Sequence, residues 1–279
     1  MISKIIHQTW FDNNKQLPLI FDKMIQESKK KNIDFEFKLW TNSNIEDFLN
    51  NNYKKIYEIY SKNILGVQKS DLARLAILHY YGGIYINLDI LLLKNLNDLF
   101  DFNKDMFYIS YEPKEQTKYI WNNENYICNA FFACNKNNII IENIIETIIH
   151  IYNVYGEKIF NQLNIFGSNL YINILNSTDK SLYNIIETDK IYPILDIKLE
   201  LKSSIEDYNK IKTGNYNNNT YMVHYWIHSN FEAKNIIYNF KYNDFLTIHE
   251  NLGLFFEQMY PINKIILNDK NYIYFHNKK

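Results

Sequence analysis

Apolar and polar residues follow one another along this chain in short blocks that predict strands and helices in turn. Alternation with a period of two indicates a strand, and apolar positions three or four residues apart indicate a helix. These patterns predict strands at residues 4–11, 35–40, 84–90, 106–111, 126–134 and 221–227. They predict helices at residues 19–31, 44–50, 52–60, 69–83, 138–152 and 168–176. Strands that alternate with helices are typical of α/β proteins with a central sheet.

The predicted strand at 84–90 has one apolar face and one polar face. The apolar face carries Ile84, Ile86, Leu88 and Ile90. Alternation places Tyr85, Asn87 and Asp89 on the other face, at the carboxyl end of the strand. Open α/β sheets bind ligands at that end, and two oxygen-bearing side chains two residues apart can reach one hard cation. A polar strand end that simply faces water is the alternative, and this stretch leaves both interpretations open.

The helix before this strand carries a second pair of candidate site residues. Ser70 is the predicted N-cap, Asp71 lies in the predicted first turn, and Gly82-Gly83 form the predicted C-cap. Asp71 and Arg74 are three residues apart, so they share a helix face and could hold sugar hydroxyls and phosphate, respectively. The alternative is an ordinary salt bridge within the helix.

Composition and charge limit the classes of protein to consider. The 279 residues are 47% hydrophobic and 22% charged, which is typical of a folded globular protein. With 7 Gly and 4 Pro there is no evident linker, so we expect one domain over 1–279, in which the role of 235–279 is unassigned. A net charge of −1 provides no electrostatic footprint for nucleic acid, and none is expected as a partner.

The cysteines and the apolar segments bear on the cellular compartment. Cys128 and Cys134 are six residues apart in a predicted strand, so we expect them on one face as buried, reduced thiols. The N-terminus has no apolar segment of the signal-peptide kind, and the run "IIIENIIETIIHIY" is interrupted by charges and too short to span a bilayer. We therefore expect no membrane span and a cytoplasmic location.

The segment "KSDLARLAILHYYGGIYINLD" (69–89) resembles the central signature of the DXD-containing glycosyltransferases of family 32. That group includes fungal initiating mannosyltransferases and bacterial capsular polysaccharide transferases, and the segment is more distantly similar to the sugar-transferring domain of large clostridial toxins. The family pattern is S-D-x-x-R, then G-G-x-Y, then D-x-D. The matching residues here are Ser70, Asp71, Arg74, Gly82, Gly83 and Tyr85, followed by Asn87-Leu88-Asp89.

The resemblance extends over about residues 4–230. In "KIIHQTWF", Trp10 matches an aromatic residue that packs on the nucleotide base, and in "YICNAFFACNKNN" the resemblance places Asn129 near the donor sugar. The segment "NIFGSNLYINIL" corresponds loosely to a T-G-P segment of the family, in which only Gly167 clearly matches. The ending "YMVHYWIHSN" matches a segment that closes over diphosphate and metal, with His224, Trp226 and Ser229 in place. Taken alone, both tryptophans could be ordinary core residues.

The resemblance implies a GT-A type fold, with a Rossmann-like mixed central sheet flanked by helices. It also implies metal-dependent, retaining transfer of a sugar from a UDP- or GDP-linked donor to a glycan, glycoprotein or glycolipid acceptor. The implied catalytic residues are Asp71, Arg74 and Asp89. The implied donor-binding residues are Trp10, Asp71, Arg74, Tyr85, Asn87, Asn129, Trp226 and Ser229. The implied metal ligands are Asp89, Asn87, His224 and His228, and the expected ion is Mn²⁺, with Mg²⁺ as the second choice.

Two departures from the family pattern affect the metal site. Asn87 replaces the first aspartate of D-x-D, which predicts weaker metal binding, or a degenerate member that binds a nucleotide-sugar or glycan without turnover. His228 stands where the family has a small residue. If 221–228 is extended, His224, Trp226 and His228 share a face, and a second imidazole could offset the lost carboxylate. The alternative is that His224 alone, or neither histidine, meets the metal.

Overall fold

The computed structural model describes residues 1–11, 16–62, 65–161, 165–201, 203–227 and 234–260. Its strands are β1 (Ile5–Trp10), β2 (Glu36–Thr41), β3 (Gly83–Ile86), β4 (Ile90–Leu92), β5 (Phe107–Tyr111), β6 (Ile127–Cys134), β7 (Tyr183–Ile186) and β8 (Met222–His224). Its helices are α1 (Leu19–Lys31), α2 (Asn42–Asn52), α3 (Lys54–Lys62), α4 (Gly66–Tyr81), α5 (Lys114–Trp121), α6 (Ile139–Tyr155), α7 (Ser168–Asn176), α8 (Thr188–Ile191), α9 (Ser204–Thr213), α10 (Lys234–Asn239) and α11 (Ile248–Met259). Short 3₁₀ segments lie at Leu96–Asp98, Gly156–Asn161, Lys180–Leu182 and Ile197–Leu199.

The central sheet has six strands in the order β2-β1-β3-β6-β5-β7. Strand β6 runs antiparallel to both of its neighbours, and the other pairings are parallel. The carboxyl ends of β1, β3 and β5 and the amino end of β6 therefore lie along one edge. The predicted α/β class with a mixed sheet flanked by helices is confirmed.

The buried residues form layers on both faces of this sheet. Helices α2, α3, α4, α6 and α7 pack on one face. The other face packs against a two-stranded sheet of β4 and β8, whose far side is covered by α1, α9 and α11. Side-chain alternation in β4 shows this arrangement, because Ile90 and Leu92 face the central sheet and Leu91 faces the helices.

Helix α4 is buried around most of its circumference because it lies between the sheet and helices α3 and α6. The prediction that Ser70 caps this helix is wrong, since the helix begins one turn earlier, at Gly66. Asp71 is likewise not in the first turn. Ser70 and Asp71 are thus interior residues of a buried helix, and their polar groups must find partners inside the protein.

The predicted C-cap at Gly82 is confirmed, and it explains why two glycines precede β3. Gly82 has a φ of 64° and Gly83 a φ of 98°, values that residues with a side chain rarely adopt. A Cβ on Gly82 would lie 2.5 Å from the backbone nitrogen of Lys136, and one on Gly83 would lie 2.6 Å from the carbonyl oxygen of Ile5. The glycines therefore permit both the turn and the close approach of neighbouring strands.

The predicted strand at 84–90 is interrupted in the structure. Strand β3 ends at Ile86, and Asn87–Ile90 form a turn in which the Ile90 nitrogen donates to the Asn87 carbonyl oxygen at 3.1 Å. Strand β4 then pairs with β8 instead of continuing the central sheet. Periodicity did not reveal this break because the apolar residues on either side of it are buried equally well in two different sheets.

The prediction that the two cysteines share a face is wrong. Both are buried free thiols, as expected, but Cys134 packs with the α4 side of the sheet and Cys128 with the β4 side. The pairing of β5 with β6 shifts register between Tyr108 and Ser110, so β6 carries a bulge between the two cysteines. A bulge breaks the alternation of faces.

Helix α11 gives part of the unassigned C-terminal region a structural role. Its apolar side, which includes Leu252, Phe255 and Phe256, is buried with α1 and α9. Within the described ranges, no helix combines the length and the apolar character that crossing a bilayer requires.

His7 joins β1 to the α4–β3 junction as a fully buried, neutral imidazole. Its Nε2 lies 3.0 Å from the Gly82 carbonyl oxygen, and its Nδ1 accepts a hydrogen bond from the Trp40 indole at 3.2 Å. Since Nδ1 is an acceptor, the proton sits on Nε2. Burial lowers the pKa of His7 from 6.5 to about 4.

We expect His7 to make the protein less stable in mild acid. The folded state resists protonation that the unfolded chain accepts below pH 6.5, so stability is complete above 6.5 and falls as the pH approaches 4. The loss attributable to His7 should reach about 3 kcal/mol in the free energy of unfolding. Urea unfolding at several pH values, compared between wild type and His7→Gln, measures it. An exposed-site control, His150→Gln, should keep the full pH dependence, and an unchanged slope in His7→Gln would contradict the assignment.

Candidate active site

A cavity of about 350 Å³ opens along the edge of the central sheet where β1, β3 and β5 end and β6 begins. It is lined by every predicted site residue that the structure describes: Trp10, Asp71, Arg74, Tyr85, Asn87, Asp89, Asn129, His224 and Trp226. Residues distant in sequence therefore converge at one place. The predicted residues His228 and Ser229 lie outside the described part of the chain.

Arg74 contacts three other predicted site residues in the cavity. Its Nη2 lies 3.2 Å from Asp71 Oδ1, and its Nη1 donates to the Asn129 carbonyl oxygen. The Asn129 amide in turn donates to Asp71 Oδ1 at 2.8 Å. The guanidinium also lies over the Tyr85 ring, 4.7 Å from its centroid. Arg74 thus holds the carboxylate, the amide and the phenol ring in a single arrangement.

The Asp71–Arg74 pair is buried, so each charge depends on the other. Burial raises the pKa of the Asp71 carboxyl, while the Arg74 guanidinium and the Asn129 amide act in the opposite direction. A buried carboxylate needs such partners because water no longer solvates it. The sequence pattern predicted that the two residues share a face, and the structure confirms that they are in contact.

A chain of hydroxyl groups connects Arg74 to Asn87, in the turn between β3 and β4. Arg74 Nη2 donates to the Ser70 hydroxyl at 3.0 Å, which lies 3.1 Å from the Thr9 hydroxyl. The Thr9 hydroxyl is 2.9 Å from that of Tyr85, which donates to Asn87 Oδ1 at 3.2 Å. The orientation of the Asn87 amide is therefore set by a buried network.

Asp89, in the turn between β3 and β4, contacts residues at the end of β8 and directly after it. Its Oδ2 accepts a hydrogen bond from the Ile227 backbone nitrogen at 2.8 Å, and its carbonyl oxygen accepts one from the Tyr225 nitrogen at 2.9 Å. Its Oδ1 lies 3.2 Å from Nε2 of His224. The predicted metal ligands Asp89 and His224 are thus adjacent.

The prediction that 221–227 is extended throughout is wrong, since β8 ends at His224. Trp226 has a φ of 53°, a left-handed conformation that is rare for bulky residues and is found at functional sites. This bend lets the Trp226 indole donate to the Ile194 carbonyl oxygen at 3.1 Å while its ring packs on His224, with 4.1 Å between centroids. Trp226 is buried among other rings and also lines the cavity, and its role in donor binding stays a prediction.

The residues around Asp89 fit a divalent cation. Asn87 offers an amide oxygen, Asp89 a carboxylate and His224 an imidazole, a mixed donor set that suits Mn²⁺ and similar ions. His224 Nδ1 is buried and has no hydrogen-bond partner among the described residues. Within the same residues, no group of three or more His, Cys, Asp and Glu side chains is placed to hold a metal. A bound ion would therefore draw its remaining ligands from substrate and water.

Trp10 lies at the β1 end of the cavity. Its ring packs edge-on against Phe21 and Tyr238, with centroid distances of 6.1 and 6.3 Å. It lines the cavity without being fully buried. An aromatic surface held in this way can stack against a planar base.

Three further cavity residues were not singled out from the sequence. Glu112 directly follows β5, and its carboxylate accepts a hydrogen bond from Gln116 at 3.1 Å. Trp121 and Tyr126 lie between β5 and β6 and stack with 4.8 Å between centroids. The signal for Glu112 was present, because it stands at the carboxyl end of a predicted strand, as Asp89 does.

The sequence of this chain is similar to those of known glycosyltransferases. Residues 18–105 match the sequence profile of the glycosyltransferase sugar-binding region containing the DXD motif. The chain is 37% identical over 115 residues to an uncharacterized glycosyltransferase of Acanthamoeba polyphaga mimivirus, covering 41% of this chain and 45% of the relative. It is 35% identical over 92 residues to inositol phosphoceramide mannosyltransferase 1 of Schizosaccharomyces pombe, covering 32% and 28%. The chain therefore spans less than half the length of these relatives.

The fold also has a counterpart among solved structures. Mouse xyloside xylosyltransferase 1 in its apo form superposes with a TM-score of 0.50 at 8% identity, covering 80% of this chain and 98% of that protein. At this identity the likeness concerns the fold alone. Residues 18–105 of this chain are thus similar to the glycosyltransferase sugar-binding region containing the DXD motif, and they form part of a GT-A type fold.

Proposed function

We propose that this protein is a metal-dependent, retaining glycosyltransferase that moves a sugar from a UDP- or GDP-linked donor to a hydroxyl group of a glycan, glycoprotein or glycolipid. The observation that carries the proposal is the convergence of Asp71, Arg74, Asn129 and the Asn87–Asp89 turn in one cavity. A carboxylate, a buried guanidinium group, side-chain amides and an aromatic surface are groups that can recognise the parts of a nucleotide-sugar.

The order of residues along the sheet edge matches the order of groups in such a donor. Trp10 at the end of β1 would stack on the base, and the Asn87–Asp89 turn after β3 would face the diphosphate. Asn129 on β6 and Asp71 on α4, which are hydrogen-bonded to each other, would bind the sugar. Neighbouring strands are about 4.8 Å apart, so the two steps from β1 to β6 span about 10 Å, a distance that a nucleotide-sugar can bridge.

The proposed reaction replaces one bond to the anomeric carbon with another on the same face of the sugar. The bond from that carbon to the diphosphate oxygen breaks, and a bond to the acceptor oxygen forms. The acceptor hydroxyl proton passes to the departing diphosphate, so no protein nucleophile is needed. Asp71 and Asn129 would hold the sugar hydroxyls, and Arg74 would keep both in place through the contacts described above.

Asp89, Asn87 and His224 are the residues that would hold a divalent cation, for which Mn²⁺ is our first choice. When bound, such an ion neutralises the charge that develops on the leaving diphosphate. Asp89 has a second role that needs no ion, because it anchors the backbone at Ile227 beside the cavity.

A donor screen tests this function. Purified protein is incubated with a panel of nucleotide-sugars, with Mn²⁺, with Mg²⁺ and with a chelator, and release of nucleoside diphosphate is measured. Mannose donors come first, because one of the relatives is named as a mannosyltransferase. Metal-dependent release of nucleoside diphosphate from one donor supports the proposal, and the absence of release from every donor in the panel contradicts it.

A degenerate member that binds a nucleotide-sugar or glycan without turnover is the second candidate, and Asn87 is the observation that favours it. An amide in place of the first aspartate removes one negative charge from the proposed cation site. Nucleotide binding that is indifferent to metal, together with no release from any donor, would favour this candidate over the transferase.

We expect Asn87→Asp to strengthen metal binding about tenfold, since ligand charge is a main determinant of cation affinity. The Tyr85 hydroxyl, which now donates to the Asn87 amide oxygen, can donate equally well to a carboxylate. Titration of Mn²⁺ in the presence of the nucleoside diphosphate, followed by electron paramagnetic resonance, provides the measurement. Asn209→Asp adds the same charge at an exposed position on α9 and should leave the affinity unchanged. Equal affinities for Asn87→Asp and wild type would remove Asn87 from the cation site.

A further inference from the structure

The β5 end of the cavity carries an aromatic surface that the donor layout leaves unused. Trp121 ends α5 and lies parallel to Tyr126, with 8° between the ring planes. Tyr126 is nearly buried, whereas Trp121 is 43% exposed although it lines the cavity. One face of the indole is thus covered by tyrosine, and the indole remains accessible to a ligand from the cavity mouth.

The position of this surface indicates that it binds a group other than the nucleotide base of the donor. Glu112 and Tyr126 stand next to each other in the pairing of β5 with β6, where the Glu112 nitrogen donates to the Tyr126 carbonyl oxygen at 2.8 Å. This is the end of the cavity opposite Trp10. With the base at Trp10 and the sugar near Asn129, the next group along the cavity is the one that receives the sugar.

The chemistry of the surface suits a saturated ring that bears hydroxyl groups. Such a ring has an apolar face of C–H bonds, which packs on an aromatic plane, and a polar rim that needs hydrogen-bond partners. The Glu112 carboxylate supplies acceptors at the rim, held in place by Gln116. Burial raises the pKa of the Tyr126 hydroxyl to about 12, so it stays protonated at neutral pH.

We propose that Trp121, Tyr126 and Glu112 form an acceptor subsite that binds a six-membered polyol ring, with its C–H face on the Trp121 indole and its hydroxyls toward Glu112. Both the pyranose end of a glycan and an inositol headgroup present this chemistry. The proposal rests on the proposed function, since it takes Trp10 and Asp71 to hold the donor. It adds the residues that select the acceptor.

Saturation-transfer NMR on the whole chain tests the subsite without requiring turnover. The probes are methyl α-mannopyranoside in one arm and myo-inositol in the other, each with the protein saturated with nucleoside diphosphate and Mg²⁺, which unlike Mn²⁺ is diamagnetic and leaves the probe signals sharp. We expect transfer to the ring C–H protons of at least one probe. Trp121→Ala should weaken its binding about tenfold, and Trp121→Phe should weaken it less, because a smaller aromatic plane remains. Glu112→Gln should also weaken it.

Tyr119→Ala is the matched control, since it removes an exposed aromatic ring from the same helix at a position that does not line the cavity. It should bind the probes as wild type does. Three outcomes would overturn the proposal: no saturation transfer to either probe, equal binding in Trp121→Ala, or loss of nucleoside diphosphate affinity in Trp121→Ala, which would assign the ring to the donor. Sugar binding at Trp121 without nucleotide release from any donor would instead contradict the transferase function and leave the subsite standing.

Discussion

Asp89→Asn is expected to reduce turnover about a hundred- to thousandfold, the range seen when one preorganised charge-stabilising group is removed from an active site. The substitution keeps the size and one acceptor oxygen, so the backbone anchor at Ile227 can persist. It removes the negative charge beside His224, and with it the strongest ligand of the proposed cation site. Metal-dependent nucleotide binding should fall in parallel. Steady-state assay with the donor found in the screen, alongside titration of Mn²⁺, measures both effects.

Asp98→Asn provides the control for Asp89→Asn, because it removes the same charge at an exposed position on a 3₁₀ segment away from the cavity. It should turn over as wild type does. Circular dichroism on both variants checks that the fold is retained. If folded Asp89→Asn keeps turnover within threefold of wild type, Asp89 has no part in catalysis and the proposed cation site is wrong.

Arg74→Met is expected to lower the free energy of unfolding by about 3–5 kcal/mol, the usual cost of removing one partner from a buried ion pair. The Asp71 carboxylate would be left buried with the Asn129 amide as its remaining described partner, and the Asn129 carbonyl and the Ser70 hydroxyl would each lose the hydrogen bond that Arg74 donates. Because Asp71 and Asn129 would no longer be held in place, turnover of the folded protein should fall as well. Urea unfolding at neutral pH measures the stability term.

A double variant separates the ion pair from simple loss of packing. Asp71→Asn combined with Arg74→Met should be less destabilised than the sum of the two single variants, because the uncompensated charge is gone. Lys30→Met is the control for an exposed pair, since Lys30 and Glu27 are bridged at the surface and such bridges contribute about 0–1 kcal/mol. Loss of less than 1 kcal/mol in Arg74→Met, or strict additivity in the double variant, would contradict the description of this pair.

Local features of the fold follow closely from the sequence. Helices α1 and α7 occupy the predicted ranges, and β2, β5 and β6 begin and end within about a residue of them. These elements have clear periodicity or continuous apolar runs, although β5 and β6 are buried on both faces of the sheet. The predictions failed where the chain leaves the central sheet and where a strand pairing shifts its register. Between β3 and β4 the chain passes from the central sheet to the two-stranded sheet, and β6 bulges where its pairing with β5 shifts register; single-strand periodicity records neither event.

The candidate site shows the same division between local and long-range information. The spacing of Asp71 and Arg74 sufficed to predict their contact, because helix geometry brings residues three apart together. The role of Ser70 was misjudged because α4 begins at Gly66 without a capping side chain, so no capping residue marks its start in the sequence. Trp121 and Tyr126 carry no motif, and their stacking depends on where β5 and β6 place α5 and the chain that follows it.

The sequence by itself determined the fold class, the signature segment at 69–89 and the predicted residues that line the cavity, because these depend on short-range periodicity and on residue types at fixed spacing. Tertiary structure alone decided that Asp89 anchors the chain at Ile227, that Trp226 turns back onto His224, and that Glu112 and Trp121 face the same cavity as Asp71. Each of these contacts joins segments of distant sequence, so its formation depends on how two sheets and their helices pack together.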